Sequence, residues 1–305
     1  VKKIKKIVME VHKMDKMLII GGTGETGSWF ARYFKDRGFD VSIWGARGRR
    51  EVADSIGVRY AEFLDEEVNH SDIVIISVPI EKTIEVISKI APQMSPGSLL
   101  MDLTSLKSGP VSAMDRYAPP GVEVLGTHPM FGPTMKCLLG QTVIFTPVNG
   151  REGKWSFRLR ELFESDGARI ELVSPHEHDE IMAVVQALTH FAYIGIGATL
   201  KALEVDVERS RHFMSPVYEI MLDFVGRILD QNPDLYASIQ GNPLASEVRH
   251  AFIGECKRLC DLADQGMMEE FKEGMREAAL HYGDTHKALQ SSDRIIDQRV
   301  NEKHR

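Results

Sequence analysis

The stretch that most constrains the fold lies near the start of the chain. Met17-Leu18-Ile19-Ile20 is a short apolar run that opens directly onto Gly21-Gly22-Thr23-Gly24-Glu25-Thr26-Gly27. Within it Gly22, Gly24 and Gly27 keep the G-x-G-x-x-G spacing. Ser28 to Arg37 then reads as a helix with Trp29, Phe30, Tyr33 and Phe34 on its apolar face, and Gly38 stops it. A bare glycine triplet is weak. With a strand before it, a helix after it and a second strand beyond, Val41-Ser42-Ile43-Trp44, it becomes the strong form of a dinucleotide-binding turn. The glycines let the backbone approach a pyrophosphate, which sits where the helix leaves its first N–H groups unpaired. Gly22, Thr23, Gly24, Glu25, Thr26 and Gly27 are therefore the candidate cofactor-binding residues.

The residues after the second strand decide which dinucleotide is expected. An NAD site of this kind carries Asp or Glu about twenty residues after the glycines, where it accepts from the ribose 2′-hydroxyl. Here the chain reads Gly45-Ala46-Arg47-Gly48-Arg49-Arg50, with no carboxylate until Glu51. Guanidinium groups in place of the acid suit a 2′-phosphate, which arginine can hold through two hydrogen bonds. Arg47, Arg49 and Arg50 are the candidates, NADP is the expected cofactor and NAD the alternative. The bland reading is a solvated basic turn.

Strand and helix patterns alternate through the rest of this half. Ile73 to Pro79 is continuously apolar up to Ser77, as for a central parallel strand buried on both faces, and Ser77 and Pro79 at its carboxyl end join the cofactor set. Glu81 to Ile90 is an amphipathic helix with Ile84, Ile87 and Ile90 facing inward. Leu99 to Asp102 is the next strand, Thr142 to Phe145 another, Trp155 to Asp166 a helix and Arg169 to Leu172 a last strand. The alternation predicts an α/β doubly wound parallel sheet of the Rossmann type over residues 17–174.

Two turns in this sheet carry chemistry. Asp102-Leu103-Thr104-Ser105-Leu106-Lys107 is a strand-to-helix turn. Gly126-Thr127-His128-Pro129-Met130-Phe131-Gly132-Pro133 follows the strand Val122 to Leu125 and reads as a rigid turn past its end. In open α/β sheets ligands bind at the carboxyl ends of the strands. Alone, Ser105 would be a helix cap and His128 a local turn residue. Together at the cofactor crevice they form a candidate catalytic set, with Lys107 available for a carboxylate and His128 and Ser105 for a hydroxyl.

From Pro175 strand signals fade and helical patterns take over, giving an all-helical C-terminal domain over 175–291 that is expected to supply substrate contacts and a dimer interface. Its first helix runs from about His178 to Leu203. The middle, Tyr193 to Ala198, is apolar all round and glycine-bearing, as for a helix buried inside a helical dimer. His176, His178 and Asp179 read as a helix-start cluster, and no metal is expected. Pro216 to Asp230 carries Arg227 among apolar residues, where it needs an anionic partner: an internal salt bridge and a substrate carboxylate fit equally. Pro243 to Leu262 and Met267 to His281 complete the helices. A charged tail over 292–305 and a basic leader over 1–16, with six lysines, are left outside the fold.

The totals exclude several classes. A net charge of -7 argues against a general nucleic-acid binder. No uninterrupted apolar run approaches the roughly 20 residues that span a bilayer. Three cysteines suit a reducing cytoplasm better than a disulfide framework, and Cys256 and Cys260 read as buried small hydrophobes. A cytoplasmic protein without nucleic-acid or membrane partners is expected.

In their order and spacing, these motifs resemble the prephenate/arogenate dehydrogenase family of tyrosine biosynthesis over about Met17 to Leu289. The resemblance rests on the glycine loop, Asp102 to Pro110, Gly126 to Pro133, His178-Asp179, Gln186 to Phe191, Ser215 to Tyr218 and Val225-Gly226-Arg227. It is most like the dehydrogenase part of the bifunctional chorismate mutase–prephenate dehydrogenases, with neither a mutase nor a C-terminal ACT domain expected here. It implies oxidative decarboxylation of prephenate to 4-hydroxyphenylpyruvate, with the ring C4 hydride going to the nicotinamide and the C1 carboxylate leaving as CO₂. By the same resemblance His128 is the base toward the C4 hydroxyl, Ser105 orients it, and Lys107 supports the substrate pocket. Arg227 binds the ring carboxylate, His178 and His190 lie in or near the substrate site, and the protein is a homodimer.

Two points bear on specificity. Bifunctional relatives carry a carboxylate after the second strand and use NAD, where this chain has Gly45 and arginines. An acidic residue at the end of the strand after the histidine motif is linked to arogenate use, and a neutral Thr146 at that place would favour prephenate. Competing readings are another Rossmann-plus-helical-domain reductase, such as a β-hydroxyacid dehydrogenase or imine reductase, and a non-catalytic NADP-sensing regulator. The first would centre on a lysine of the helical domain, and the second would bind cofactor without turnover.

Overall fold

A computed structural model describes residues 14–303, which form two compact units that divide between Ile181 and Met182. Most of the basic leader expected over 1–16 lies outside the described residues, as do residues 304 and 305 of the expected tail. Lys16 is already the first residue of a strand, its amide donating to Asp72 Oδ2 at 2.9 Å. The division between units falls inside a helix, beyond the expected start of the helical domain at 175.

The first unit is built on strands β1 (Lys16–Ile20), β2 (Asp40–Trp44), β3 (Arg59–Tyr60), β4 (Ile73–Ile76), β5 (Leu99–Asp102), β6 (Glu123–Pro129), β7 (Thr142–Pro147) and β8 (Arg169–Leu172). They form one sheet in the order β3-β2-β1-β4-β5-β6-β7-β8. Helices α1 (Glu25–Lys35), α2 (Arg50–Ile56), α3 (Leu64–His70), α4 (Ile80–Ile90), α5 (Ser108–Tyr117) and α6 (Lys154–Ser165) connect them, and α7 (Pro175–Met182) leads out. Side chains alternate across the strands. Met17 and Ile19 join Phe30, Phe34 and Phe163 on one face, while Leu18 and Ile20 join Ile87, Ile90 and Met114 on the other. The order reverses direction between β1 and β4, the place where doubly wound sheets open a ligand crevice.

Four departures from the expected pattern have local physical reasons. The sheet is not wholly parallel, since β6 and β7 pair antiparallel. No helix lies between them, and a parallel return needs a long crossover, usually helical. His128 does not sit on a turn past β6 but inside it, opposite Ile144. Gly126 serves close packing rather than a turn: a Cβ there would lie 2.1 Å from Thr146 Oγ1 and 2.5 Å from Val111 Cγ2. Helix α1 begins at Glu25, within the glycine loop, and Ile84 faces solvent while Ile87 and Ile90 point inward.

The second unit is helical. The single helix expected from His178 to Leu203 is α7, a π-helical turn over Ala183–Leu188, and α8 (Thr189–Ala202). After α9 (Val207–Ser210) come α10 (Pro216–Leu229), α11 (Pro233–Gln240), α12 (Ala245–Asp264), α13 (Met268–Tyr282) and α14 (Thr285–Lys303). Ser215 caps α10 and Asn232 caps α11 through their side chains. The expected charged tail is largely helix α14, whose Arg299 pairs with Asp223 and, at 3.6 Å, with Glu219 of α10. A charged stretch thus gains a docking partner from a distant part of the sequence.

Helix α8 has no buried residue within the single chain, and Cys256 and Cys260, expected as buried small hydrophobes, are exposed, as is Cys137. Helix α12, which carries Cys256 and Cys260, buries only Ala245 within the single chain. Among the described residues the helical run Pro175–Ala202 is long and apolar enough to cross a membrane by length and composition, although no apolar run of that length is expected from the sequence. Scattered polar residues interrupt its apolar stretches.

Candidate active site

The cofactor cradle is shaped by backbone that tolerates no side chains. Gly21 has φ +87° and a Cβ there would meet Ser77 O at 2.1 Å, so the β1 and β4 ends touch only because this residue is glycine. At Gly22 a Cβ would meet the Ile43 side chain at 2.5 Å, and at Gly27 the backbone of Gly21 at 2.5 Å. No side chain caps α1 at Gly24, which leaves the first amides of the helix to an anion. These features fit the pyrophosphate of a nicotinamide dinucleotide.

Beyond β2 the arginines differ in availability. Arg50 pairs with Glu62 and lies over the Tyr60 ring, while Arg49 Nη2 donates to Thr23 O at 2.5 Å, bridging the basic turn to the glycine loop. Arg47 is exposed and has no hydrogen-bond or ion-pair partner among the described residues. Ser77 donates its amide to Ile20 O at 2.8 Å, and Pro79 is the residue before α4.

A buried polar knot ties β5 to β6 beside the cradle. Lys107 and Asp102 are both 0% exposed and form an ion pair. Lys107 Nζ also donates to Thr127 O at 2.8 Å, and Asp102 Oδ2 accepts from the Thr104 amide at 3.0 Å. Thr127 Oγ1 donates to Asp102 O. Burial pulls the Lys107 ammonium below its ordinary range, against the opposing pull of Asp102. The peptide preceding His128 is thereby held from both sides.

His128 is buried, and its Nδ1 lies 2.9 Å from His178 Nε2. His178 Nδ1 lies 2.8 Å from Asp179 Oδ1. Asp179 in turn accepts from the amides of Lys107 and Ser108, each at 2.9 Å, and so caps the start of α5. These donors, with His178, hold its carboxyl down at about 2 despite burial. Burial is the main cause that lowers His128 well below the usual imidazole range; His178 and Lys107 add to it and Asp179 opposes it. His178 is lowered too, first by burial. Past β6, Trp29 Nε1 of α1 donates to Met135 O at 2.6 Å, and the Trp29 ring meets Phe131 edge-on. The histidine strand and the cofactor helix are thus joined within one unit.

In the helical unit His190 packs edge-on against Tyr236, with ring centroids 4.6 Å apart, and its buried Nδ1 has no hydrogen-bond partner among the described residues. Burial lowers its pKa. The π-helical turn before it offers the Ala187 carbonyl to Gln240 Nε2 at 2.8 Å, and Arg249 Nη1 holds the Gln240 carbonyl at 2.9 Å. Such turns widen a helix locally and concentrate at functional sites. Arg227 is exposed and has no carboxylate partner among the described residues; its charge opposes the upward push that burial gives the Tyr236 phenol.

Residues 30–172 match the nucleotide-binding domain of prephenate dehydrogenase, and residues 174–277 its dimerization domain. The chain belongs to the prephenate dehydrogenase family. It is 44% identical over 269 residues to a protein of Methanocaldococcus jannaschii named "Probable arogenate/prephenate dehydrogenase", covering 87% of this chain and 60% of that protein. It is 32% identical to the 4-amino-4-deoxyprephenate dehydrogenase of Streptomyces pristinaespiralis, over 84% of this chain and 87% of that enzyme. The fold is shared with prephenate dehydrogenase from A. aeolicus in complex with hydroxyphenyl propionate and NAD⁺, with a TM-score of 0.70, 22% identity and coverage of 90% of this chain and 100% of that one. The chain spans 60% of the length of its M. jannaschii relative.

Within this family framework, several side chains anticipated from the sequence do different work. Lys107 is spent on Asp102 and Thr127 and, being 0% exposed, offers no ammonium to a substrate carboxylate. His178 is 0% exposed and engaged at both ring nitrogens, so it faces His128 rather than substrate. Ser105 makes no hydrogen bond to His128; its partly exposed hydroxyl has no partner among the described residues. Thr146 is 0% exposed and packed behind Gly126, and its buried Oγ1 has no hydrogen-bond partner among the described residues. His176 pairs with Glu180 at 3.4 Å, not with a ligand cluster. The roles of Asp102, Thr127 and Asp179 and the Gln240–Arg249 brace rest on partners distant in sequence, although the first three lie inside the motifs. Gly21 has a local signal, as the glycine adjoining the triplet.

Proposed function

We propose that the chain catalyses the NADP-dependent oxidative decarboxylation of prephenate to 4-hydroxyphenylpyruvate as a homodimer, with NAD the alternative cofactor. The observation that carries this reading is His128: a buried, neutral imidazole whose Nδ1 is occupied by His178, leaving Nε2 as the one nitrogen available to a substrate hydroxyl. A nicotinamide held at the glycine loop would supply the acceptor for the hydride of ring C4. His128 Nε2 takes the C4 hydroxyl proton as that hydride leaves, and the electrons of the breaking C1–carboxylate bond aromatise the ring. The proton returns to the phenolate oxygen as CO₂ departs. Ser105, with its uncommitted hydroxyl, binds the same substrate oxygen.

Arg227, exposed and without an internal carboxylate partner, is the candidate for the ring carboxylate; the internal salt-bridge alternative has no support among the described residues. His190, whose buried Nδ1 has no partner among the described residues, is the candidate for a second substrate contact. Arg47 and Arg49 are the 2′-phosphate candidates, and the absence of an acid before Glu51 favours NADP. The match to a dimerization domain and the apolar run Pro175–Ala202, only 17% buried in the chain, support a dimer that covers α8. The test is one assay of prephenate or arogenate with NADP⁺ or NAD⁺, followed by reduced nicotinamide. Turnover of prephenate with NADP⁺ is expected, and no turnover in any of the four combinations would overturn the family chemistry for this chain.

A further inference from the structure

Resting on the reading of His128 as the base, we infer that Asp179, His178 and His128 form a relay in which His178 decides which nitrogen of His128 is basic and shares the proton it receives. The argument is one of donors and acceptors. Asp179 is an ionised carboxylate that already accepts the Lys107 and Ser108 amides, so it can only accept from His178 Nδ1, which must carry a hydrogen. A neutral His178 then has a bare lone pair on Nε2. That lone pair faces His128 Nδ1 at 2.9 Å, so His128 must carry its hydrogen on Nδ1 and its lone pair on Nε2.

The helix cap of α5 thereby sets the tautomer of the base two side chains away. It does so with rigid parts, since Asp179 is fixed by backbone amides and the His128 backbone by the Lys107–Asp102–Thr127 knot. When His128 Nε2 takes a proton, its Nδ1 hydrogen can move to His178 Nε2, and the positive charge then lies beside Asp179. No atom is gained or lost, and the return step reverses both transfers. The charged groups facing this pair are Asp179 from α7, Lys107 from the turn before α5, and Asp102 from β5. Only the carboxylates favour the cation, and Asp179 is the one in contact. His178 and Asp179 are positioning residues, acting through His128.

The experiment combines nitrogen spectra with kinetics on the full chain. Histidine-selective ¹⁵N labelling of the wild type, with His128 assigned by its loss in His128→Asn, is expected to show hydrogen on Nδ1 of His128. His178→Gln, whose amide oxygen can accept from His128 Nδ1 but cannot take a proton, should keep that tautomer and lose about tenfold in kcat. His178→Leu should lose about 10²-fold or more in kcat with little change in KM for prephenate. Asp179→Asn should lower kcat and move the acid limb of kcat/KM to lower pH, because the imidazolium loses its neighbouring anion. A purely structural role predicts instead an unmoved limb and similar losses in all three variants, and that result overturns the relay. So does hydrogen on Nε2 of His128 in the wild type, or full kcat in His178→Leu. If His178→Leu fails to fold, the wild-type spectra and Asp179→Asn decide the matter. Absence of any turnover by the wild type would remove the dehydrogenase reading, while the spectra still decide the tautomer.

Discussion

Thr23 fills the space in which a side chain on Gly45 would begin: a Cβ built on Gly45 would lie 2.1 Å from Thr23 Oγ1, 2.9 Å from Cγ2 and 3.0 Å from Cβ. Rotating Thr23 would move its Oγ1 and Cγ2 but leave its Cβ in tight contact at 3.0 Å. The acid of an NAD site is therefore opposed here by packing as well as missing from the sequence. Gly45→Asp alone should weaken NADH and NADPH together, by about tenfold or more, as expected when a closely packed loop is forced apart. Gly45→Asp with Thr23→Gly should restore binding with NADH preferred. Fluorescence titration of both cofactors checks this, and a clean switch by the single variant would contradict it.

The arginines should separate by their present partners. Arg47→Ala should weaken NADP⁺ about tenfold more than NAD⁺, the cost of one charge-assisted hydrogen bond to phosphate. Arg50→Ala should leave the ratio near its starting value, because Arg50 is committed to Glu62. Equal losses for both cofactors with Arg47→Ala would remove that residue from the 2′-phosphate site.

Arg227→Ala should raise KM for prephenate by about 10–100-fold, the range for losing a charged hydrogen-bonding group, with a smaller change in kcat. Thermal stability should hold, since Arg227 has no internal ion pair to lose. An unchanged KM would exclude it from the substrate site.

For Lys107 the order is reversed. Lys107→Met should cost about 3–5 kcal/mol of unfolding free energy, because it strands Asp102 as an uncompensated buried charge. Adding Asp102→Asn should recover part of that loss. Urea denaturation separates this from a substrate role, which would raise KM at unchanged stability.

The two buried imidazoles also predict how stability depends on pH. Both have folded-state pKa values below the usual 6.5, so the unfolded chain binds more protons once pH falls through that value. Their contribution is complete above pH 6.5 and is lost as pH falls toward the folded pKa values. Unfolding free energy measured at pH 7.5 and 5.5 should drop, and His178→Gln should drop less. The same depression keeps His128 neutral, and the catalytic form populated, below pH 6.5.

Local patterns in the sequence determined the nucleotide-binding half almost element by element, and they singled out Ser105, His128 and Arg227 as candidate residues. They did so because glycine spacing, strand alternation and helical periodicity act between residues a few positions apart. What a buried side chain does with its polar atoms is decided by residues far away in sequence. Local sequence offers Lys107 as a substrate ligand, whereas the fold surrounds it with Asp102 and Thr127. It offers Ser105 as the partner of His128, whereas His178, fifty positions on, takes that place. His128 itself was expected on a turn, because Gly126 and Pro129 are turn residues. Only the packing of Gly126 against Thr146 and Val111 shows why the strand runs through them. The sequence could name the ionisable groups, but their donors and acceptors were settled by the tertiary structure, since a buried charge or ring nitrogen takes whatever partner the fold brings within about 3 Å.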